Sequence, residues 1–303
     1  MALSRDQNPS DTEDGGGAEH FELACPECKS ALAQEAPFCP QCGRPAPDDG
    51  WPDIDELETP WLGKVLDGRY RVKRRIGRGA SGLVFEAESL SIGRTFAIKI
   101  IDFSDTKDDG VTRAKERFER EIETLGELRN PHIVSVYELL QPKNEVVAIV
   151  MDLVTGQTAR EAVIHDGPMA PDLVADLTRQ VANGLQEAHE RGLVHRDIKP
   201  ANIIIESLPA GGAFAHILDF GVVHRIDEES ELTQGFVGTP LYASPEQARG
   251  EAIDERSDIY SLGATAFFML AGRPPFQEET AFEALQAQIQ QTAPRLSRVC
   301  DTA

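Results

Sequence analysis

Long apolar runs are missing from this 303-residue chain. The longest near the C-terminus, Leu262 to Ala271, is too short to span a bilayer. Met1 to Gly17 is polar and acidic, so a secretory signal is absent there and a cytoplasmic location is the expectation. Basic residues are scarce: 30 Lys and Arg stand against 51 Asp and Glu, a net charge of −21. That balance argues against a general nucleic-acid binder or an anionic-membrane surface, both of which need a basic face. Cysteine is also sparse, at five. What is present suits a soluble globular protein, with 41% hydrophobic and 27% charged residues. The length allows one large domain or two smaller ones.

Composition changes along the chain. Residues 1–20 read as a disordered leader, polar and acidic with Gly15-Gly16-Gly17 inside. Residues 21–46 hold two cysteine pairs. Residues 47–65 are acidic and interrupted by prolines, which reads as a linker. Trp51 and Trp61 are unusual for a free linker; docking on a neighbouring surface and incidental exposure both remain open. From Tyr70 onward, β-branched and alternating runs predict strands, interrupted by a helix from Val111 to Leu128 with Phe118, Ile122 and Leu125 on one face. After Leu153 helical spacing dominates, and Asp258 to Leu270 is apolar nearly all round, as a buried central helix would be. A strand-rich half followed by a helix-rich half predicts an α+β chain with two lobes.

Cys25-Pro26-Glu27-Cys28 and Cys39-Pro40-Gln41-Cys42 are two C-x-x-C pairs separated by ten residues. Four thiolates on two tight turns can enclose one tetrahedral Zn²⁺ with no open position, so such a zinc would be structural. Each half resembles a zinc-ribbon knuckle. Two disulfides or a redox pair are the competing readings. A third functional reading makes this module a protein-docking ribbon.

A second constellation handles phosphate. Gly77-Arg78-Gly79-Ala80-Ser81-Gly82 has strand-like sequence on both sides, so the glycines form a hairpin tip whose backbone can close over phosphates. Lys99 follows in an apolar strand, and Glu121 on the next helix is its candidate partner. Then come His195-Arg196-Asp197-Ile198-Lys199-Pro200-Ala201-Asn202, Asp219-Phe220-Gly221 and Ser244-Pro245-Glu246. With this ordered set, residues 66 to 294 resemble the eukaryotic-type serine/threonine protein kinases found in bacteria. The resemblance implies a two-lobed kinase fold over 66–303, with an N-lobe over about 66–152 and a C-lobe over about 153–303.

The resemblance also implies roles. Gly77, Gly79 and Gly82 would let the backbone approach the ATP phosphates, Lys99 would hold the α- and β-phosphates, and Glu121 would hold Lys99. Asp219 and Asn202 would bind Mg²⁺ or Mn²⁺. Asp197 would orient the attacking hydroxyl, and Lys199 would neutralise the transferring phosphoryl group. Val84, Ala97 and Ile204 would sandwich adenine, Met151 would close the back of its pocket, and Asp152 and Val154 would form the hinge. His195, Phe220, Leu125 and Val136 would stack between the lobes. Arg196 would pair with a phosphorylated Thr233, placed there in trans by a second copy of the chain. Protein substrates are implied, and no nucleic acid. Helices that normally complete the large lobe are not evident, nor is the late arginine that pairs with Glu246; Arg295 and Arg298 come too early. The chain is therefore expected to be a truncated kinase domain. Phe267, Phe268, Met269 or Leu270 would then be left partly in water, and Glu246 unpaired. A weak or inactive ATP-binding scaffold is the alternative to an active enzyme.

Overall fold

A computed structural model describes residues 23–24, 31–32, 39, 60–79, 82–103, 110–143, 145–220, 239–278 and 280–299. The leader, Trp51, Cys25, Cys28, Cys42 and Thr233 lie outside the described residues. Near the N-terminus β1 (Leu23–Ala24) pairs antiparallel with β2 (Ala31–Leu32), Leu23 opposite Leu32.

The first lobe is a six-stranded sheet built from β3 (Val65–Leu66), β4 (Tyr70–Gly79), β5 (Gly82–Ser89), β6 (Thr95–Asp102), β7 (Val136–Lys143) and β8 (Val146–Asp152). Its order is β3-β4-β5-β6-β8-β7, and every pairing is antiparallel. β5 alternates strictly: Leu83, Phe85 and Ala87 face the core, while Glu86 and Glu88 meet Arg74 and Lys73 across the strand pair. β8 is buried along nearly its whole length, as its run of Val, Ala, Ile and Met requires. Helix α1 (Gly110–Glu127) buries Phe118, Ile122 and Leu125, spaced four and three residues apart.

Trp61 belongs to this lobe. It is 6% exposed and packs with Leu66, Tyr70 and Val72, with the ammonium groups of Lys64 and Lys143 over its ring at 5.8 and 5.1 Å. Gly63 N–H donates to the Val72 carbonyl at 3.0 Å, and Val72 N–H to the Lys64 carbonyl at 2.9 Å. The linker expected to run to residue 65 thus ends earlier, because indole burial and these hydrogen bonds tie residues 61–65 to β4.

The second lobe contains β9 (Gln157–Thr158), α2 (Ala159–Asp166), α3 (Pro171–Glu190), β10 (Ile203–Ser207), β11 (Ala213–Ile217), α4 (Pro245–Ala248), α5 (Glu255–Ala271) and α6 (Ala281–Gln290). Capping boxes start α2 (Thr158 with Glu161), α4 (Ser244 with Gln247) and α6 (Thr280 with Glu283). Helix α3 has proline at its first position and turns Val174, Leu177, Val181 and Leu185 inward. Among the described residues no helix is long and apolar enough to cross a membrane.

Helix α5 departs from the expectation of exposure. Phe267 is 7% exposed, Phe268 8% and Met269 1%, and Leu270 is half-buried. Phe268 meets the Tyr242 ring edge-on at 6.3 Å, and Met269 closes onto α2 and α3 within the main core. Among the described residues of this lobe the exposed large apolar side chains are Ile164 on α2, Leu208, Ile259 on α5 and Phe282 on α6. Glu246 is not left without a partner, since the Ser257 hydroxyl donates to it. Burial pushes its carboxyl up, but bonds from Ser257, its own backbone and Ser244 outweigh this and hold it below the usual value.

Trp61→Ala is expected to destabilise the folded chain by about 3 kcal/mol, read as a lower urea midpoint. An unchanged midpoint would remove the tryptophan from the lobe's core.

Candidate active site

The segment between α3 and β10 carries Asp197, Lys199 and Asn202, and a buried carboxylate holds it. Asp258 of α5 accepts from the N–H of His195 at 2.8 Å (Oδ2) and the N–H of Arg196 at 2.7 Å (Oδ1). His189 at the end of α3 reaches the same Oδ2 at 2.7 Å. The side chains then converge. Lys199 Nζ lies 2.7 Å from Asp197 Oδ2 and donates to Thr239 Oγ1 at 2.8 Å. Asn202 Nδ2 donates to the Asp197 carbonyl at 2.8 Å and to its Oδ2 at 3.0 Å. The backbone carbonyl of Asn202 accepts from the Leu218 N–H at 2.9 Å, and its side-chain Oδ1 is the hard oxygen donor.

His195 is fully buried and its two ring nitrogens are both used. Nδ1 accepts from the Asp197 N–H at 3.2 Å, which places the ring proton on Nε2, donated to the Leu218 carbonyl at 2.8 Å. Burial holds its pKa below the usual histidine value, despite the opposing pull of Asp258, the Leu218 carbonyl, Asp197 and Asp219. Its ring lies 4.7 Å from that of Phe220, and Phe220, Leu125 and Val136 share the wall of one cavity.

Strand β6 delivers Lys99 from the other lobe. Its ammonium is almost fully buried and pairs with Asp219 Oδ1 at 3.0 Å. The expected Lys99–Glu121 ion pair is not among the described contacts. A buried ammonium requires a carboxylate, and here Asp219 supplies it. The cavity next to this pair, about 40 Å³, is walled on the α1 side by Ile122 and Leu125. Asp219 stands at φ 45°, one of three described non-glycine residues with positive φ.

Of the remaining predicted residues, Met151 lines this cavity, and the others are placed by strand register and core packing. The β4–β5 hairpin sets Gly77 opposite Val84 and Gly79 opposite Gly82. A Cβ on Gly82, at φ 148°, would meet the Ile100 carbonyl oxygen at 2.2 Å, so only glycine fits. Val84 is the cross-strand partner of Lys99, and Ala97 of Met151. Ile204 pairs with Thr158 from below, and Val154 packs at the edge of the core. The Asp152 carboxylate takes Arg94 at 2.5 Å and the Tyr137 hydroxyl at 2.8 Å, and its N–H donates to the Ser135 carbonyl at 3.0 Å. Sequence reading did not single out Asp258 or His189.

The family model for the protein kinase domain matches residues 70–301. The chain belongs to the protein kinase family. Among curated proteins it is 35% identical over 235 residues to the serine/threonine-protein kinase pkn3 of Myxococcus xanthus, covering 76% of this chain and 42% of that one. It is 35% identical over 238 residues to PrkC of Bacillus subtilis (78% and 36%) and 34% over 248 residues to PknL of Mycobacterium tuberculosis (82% and 59%). The chain thus spans between about a third and three fifths of these relatives' lengths. Among solved structures it resembles Rad53 1–466 in complex with AMP-PNP, with TM-score 0.56 and 30% identity over 71% of this chain and 51% of that one.

The neutral, buried His195 links stability to pH. Its folded pKa lies below the unfolded value of about 6.5, so the unfolded state takes up the proton first and stability is lost as pH falls below that value. His195→Phe is expected to flatten the fall of the unfolding free energy between about pH 7 and pH 5. An unchanged slope would mean that His195 is protonated in the folded state.

Proposed function

We propose that the chain is an ATP-dependent protein serine/threonine kinase, acting in the cytoplasm in signal transduction. The observation that carries this reading is the convergence of Asp197, Lys199 and Asn202 on one buried loop facing Lys99 and Asp219. In this reading Asp197 accepts the hydrogen bond of a substrate Ser or Thr hydroxyl and aims its oxygen at the γ-phosphorus of ATP. The oxygen–phosphorus bond forms as the bond to the β,γ-bridging oxygen breaks; the hydroxyl proton passes toward Asp197, and ADP leaves. Lys199, 2.7 Å from that carboxylate, offsets charge on the moving phosphoryl group. Gly77, Gly79 and Gly82 cover the phosphates, and Lys99 holds the α- and β-phosphates. Val84, Ala97, Met151, Ile204 and the backbone of Asp152 and Val154 hold adenine, and Glu121 is the alternative partner for Lys99. The oxygen donors of Asn202 and Asp219 suit Mg²⁺ or Mn²⁺, which when bound neutralises phosphate charge. The intact set of Lys99, Asp197, Asn202 and Asp219 favours this over an inactive ATP-binding scaffold. Thr233, phosphorylated by a second copy, is the proposed regulatory site, with Arg196 as its partner.

A second reading concerns the N-terminus. We propose that Cys25, Cys28, Cys39 and Cys42 bind one structural Zn²⁺. It is supported by the antiparallel pairing of β1 and β2, since the sequence between these strands contains the first C-x-x-C pair, and by the burial of Cys39.

Lys99→Met and Asp197→Asn should each slow transfer to a generic basic protein roughly a hundredfold or more. Phosphopeptide mapping of the active parent should find Thr233 modified. Parent-like transfer by Asp197→Asn would overturn the catalytic assignment, and an unmodified Thr233 the regulatory one.

Metal analysis of untagged protein under reducing conditions should find about one zinc per chain, lost on changing Cys39 to Ser. A content near zero in the parent would defeat the zinc reading.

A further inference from the structure

The peptide joining Arg196 to Asp197 is gripped from both sides. Arg196 sits at φ 67°, in the left-handed region that a residue with a Cβ adopts only when its surroundings impose it. Its N–H is fixed by Asp258 at 2.7 Å. Its carbonyl accepts from Nε2 of Gln247 at 2.7 Å, across 51 residues of sequence. The N–H at the other end of the same peptide, that of Asp197, makes a longer 3.2 Å bond to His195. The Gln247 amide is therefore the shorter of the two restraints on the plane of this peptide, and that plane sets the direction in which the Asp197 side chain leaves the backbone.

Gln247 also serves the start of α4. Its Oε1 accepts from the Ser244 N–H at 2.9 Å, and its own N–H donates to Ser244 Oγ at 3.2 Å. A capping box needs only that acceptor oxygen. The donor half of the amide has no part in the cap and is spent wholly on the catalytic loop. The cap fixes where the amide stands, and the amide then transmits that position to Arg196. Glu246, one residue earlier, is anchored to α5 through Ser257, next to Asp258. The two groups that grip Arg196 thus come from adjoining, mutually bonded elements.

We infer that Gln247 is a positioning residue for phosphoryl transfer, holding the Arg196–Asp197 peptide through the Arg196 carbonyl so that Asp197 meets the substrate hydroxyl. This rests on the reading of Asp197 given above. Gln247→Glu separates the two duties of the side chain: the carboxylate still accepts from Ser244, but it presents an oxygen to the Arg196 carbonyl where a donor stood. The expected result is a kcat roughly tenfold lower, because one hydrogen bond is lost and the reacting group is misaligned. The KM for ATP should stay within about twofold of the parent and the melting temperature within about 2 °C. Amide hydrogen exchange across residues 194–198 should quicken several-fold. Gln247→Met, which lacks donor and acceptor, should show the same kcat loss together with a lower melting temperature. A parent-like kcat in Gln247→Glu overturns the inference. So does a kcat loss in Gln247→Glu that is matched by a drop in its melting temperature, or by a rise in its KM for ATP, since either would mark a general structural role. Asp197→Asn, assayed alongside, tests the underlying reading separately. Should it retain the parent's rate, that reading fails, and the exchange measurement alone decides whether Gln247 holds the peptide: unchanged exchange in Gln247→Glu overturns it.

Discussion

The carboxylate of Asp258 is fully buried and accepts from two backbone N–H groups and one imidazole. Removing a charge from water costs several kcal/mol unless good hydrogen bonds replace the solvent. Here the replacement donors are the backbone of His195 and Arg196, so the loop cannot move away without stranding the charge. That requirement explains several features together. Helix α5 must be rigid and central, which its burial of Leu262, Phe267, Phe268 and Met269 achieves. The left-handed backbone of Arg196 then orients the Arg196–Asp197 peptide, whose carbonyl meets Gln247. His195 must stay neutral, because its Nδ1 lone pair is needed by the Asp197 N–H.

The two lobes meet along one seam. Val134 N–H donates to the Ile217 carbonyl at 3.1 Å, and Ile217 N–H to the His132 carbonyl at 2.7 Å, so the chain leaving α1 is stitched to β11. Two residues after Ile217 comes Asp219, whose carboxylate receives Lys99 from the sheet. The close approach of α3 beneath this seam depends on Gly184, where a Cβ would stand 2.8 Å from Ile217 Cδ1 and 3.4 Å from the Cβ of His132. Residues from the sheet and from the helical lobe are therefore brought to one place by backbone bonds at the seam, and the Lys99–Asp219 pair lies across it.

Much of this was legible in the sequence. The strand-rich and helix-rich halves, the α1 stripe and the overall burial of α5 follow from hydrophobic spacing, and the Asp197–Lys199–Asn202 cluster and the Lys99–Asp219 pair fall on residues that the motifs singled out. What escaped was set by tertiary choice. Trp61 read as linker because its neighbours are acidic and proline-rich, yet a large indole finds its apolar wall only when β3, β4 and β7 come together. One or more of Phe267, Phe268, Met269 and Leu270 was expected to keep part of its surface in water for want of covering helices; the packing of α2, α3 and the 240–242 turn covers the first three, and Leu270 stays half-buried. Glu121 was the one carboxylate expected to hold Lys99, and Asp219 was expected only as a metal ligand; spacing alone does not show that a buried ammonium takes Asp219.

The glycine hairpin shows which forces set position. Its flanking strands carry a ladder of opposite charges, Lys73 with Glu88 and Arg74 with Glu86. These pairs stand largely in solvent, where screening and side-chain entropy leave them little net effect. They cannot be what fixes the register. A slip of one residue would instead turn Leu83, Phe85 and Ala87 out to water and bring Glu86 and Glu88 inward, exchanging apolar burial for buried charge. It would also move Gly82 off the Ile100 carbonyl and put a side chain where none fits. The apolar face and one steric contact thus hold Val84 opposite Lys99, and with it the height of the glycine tip above the lysine.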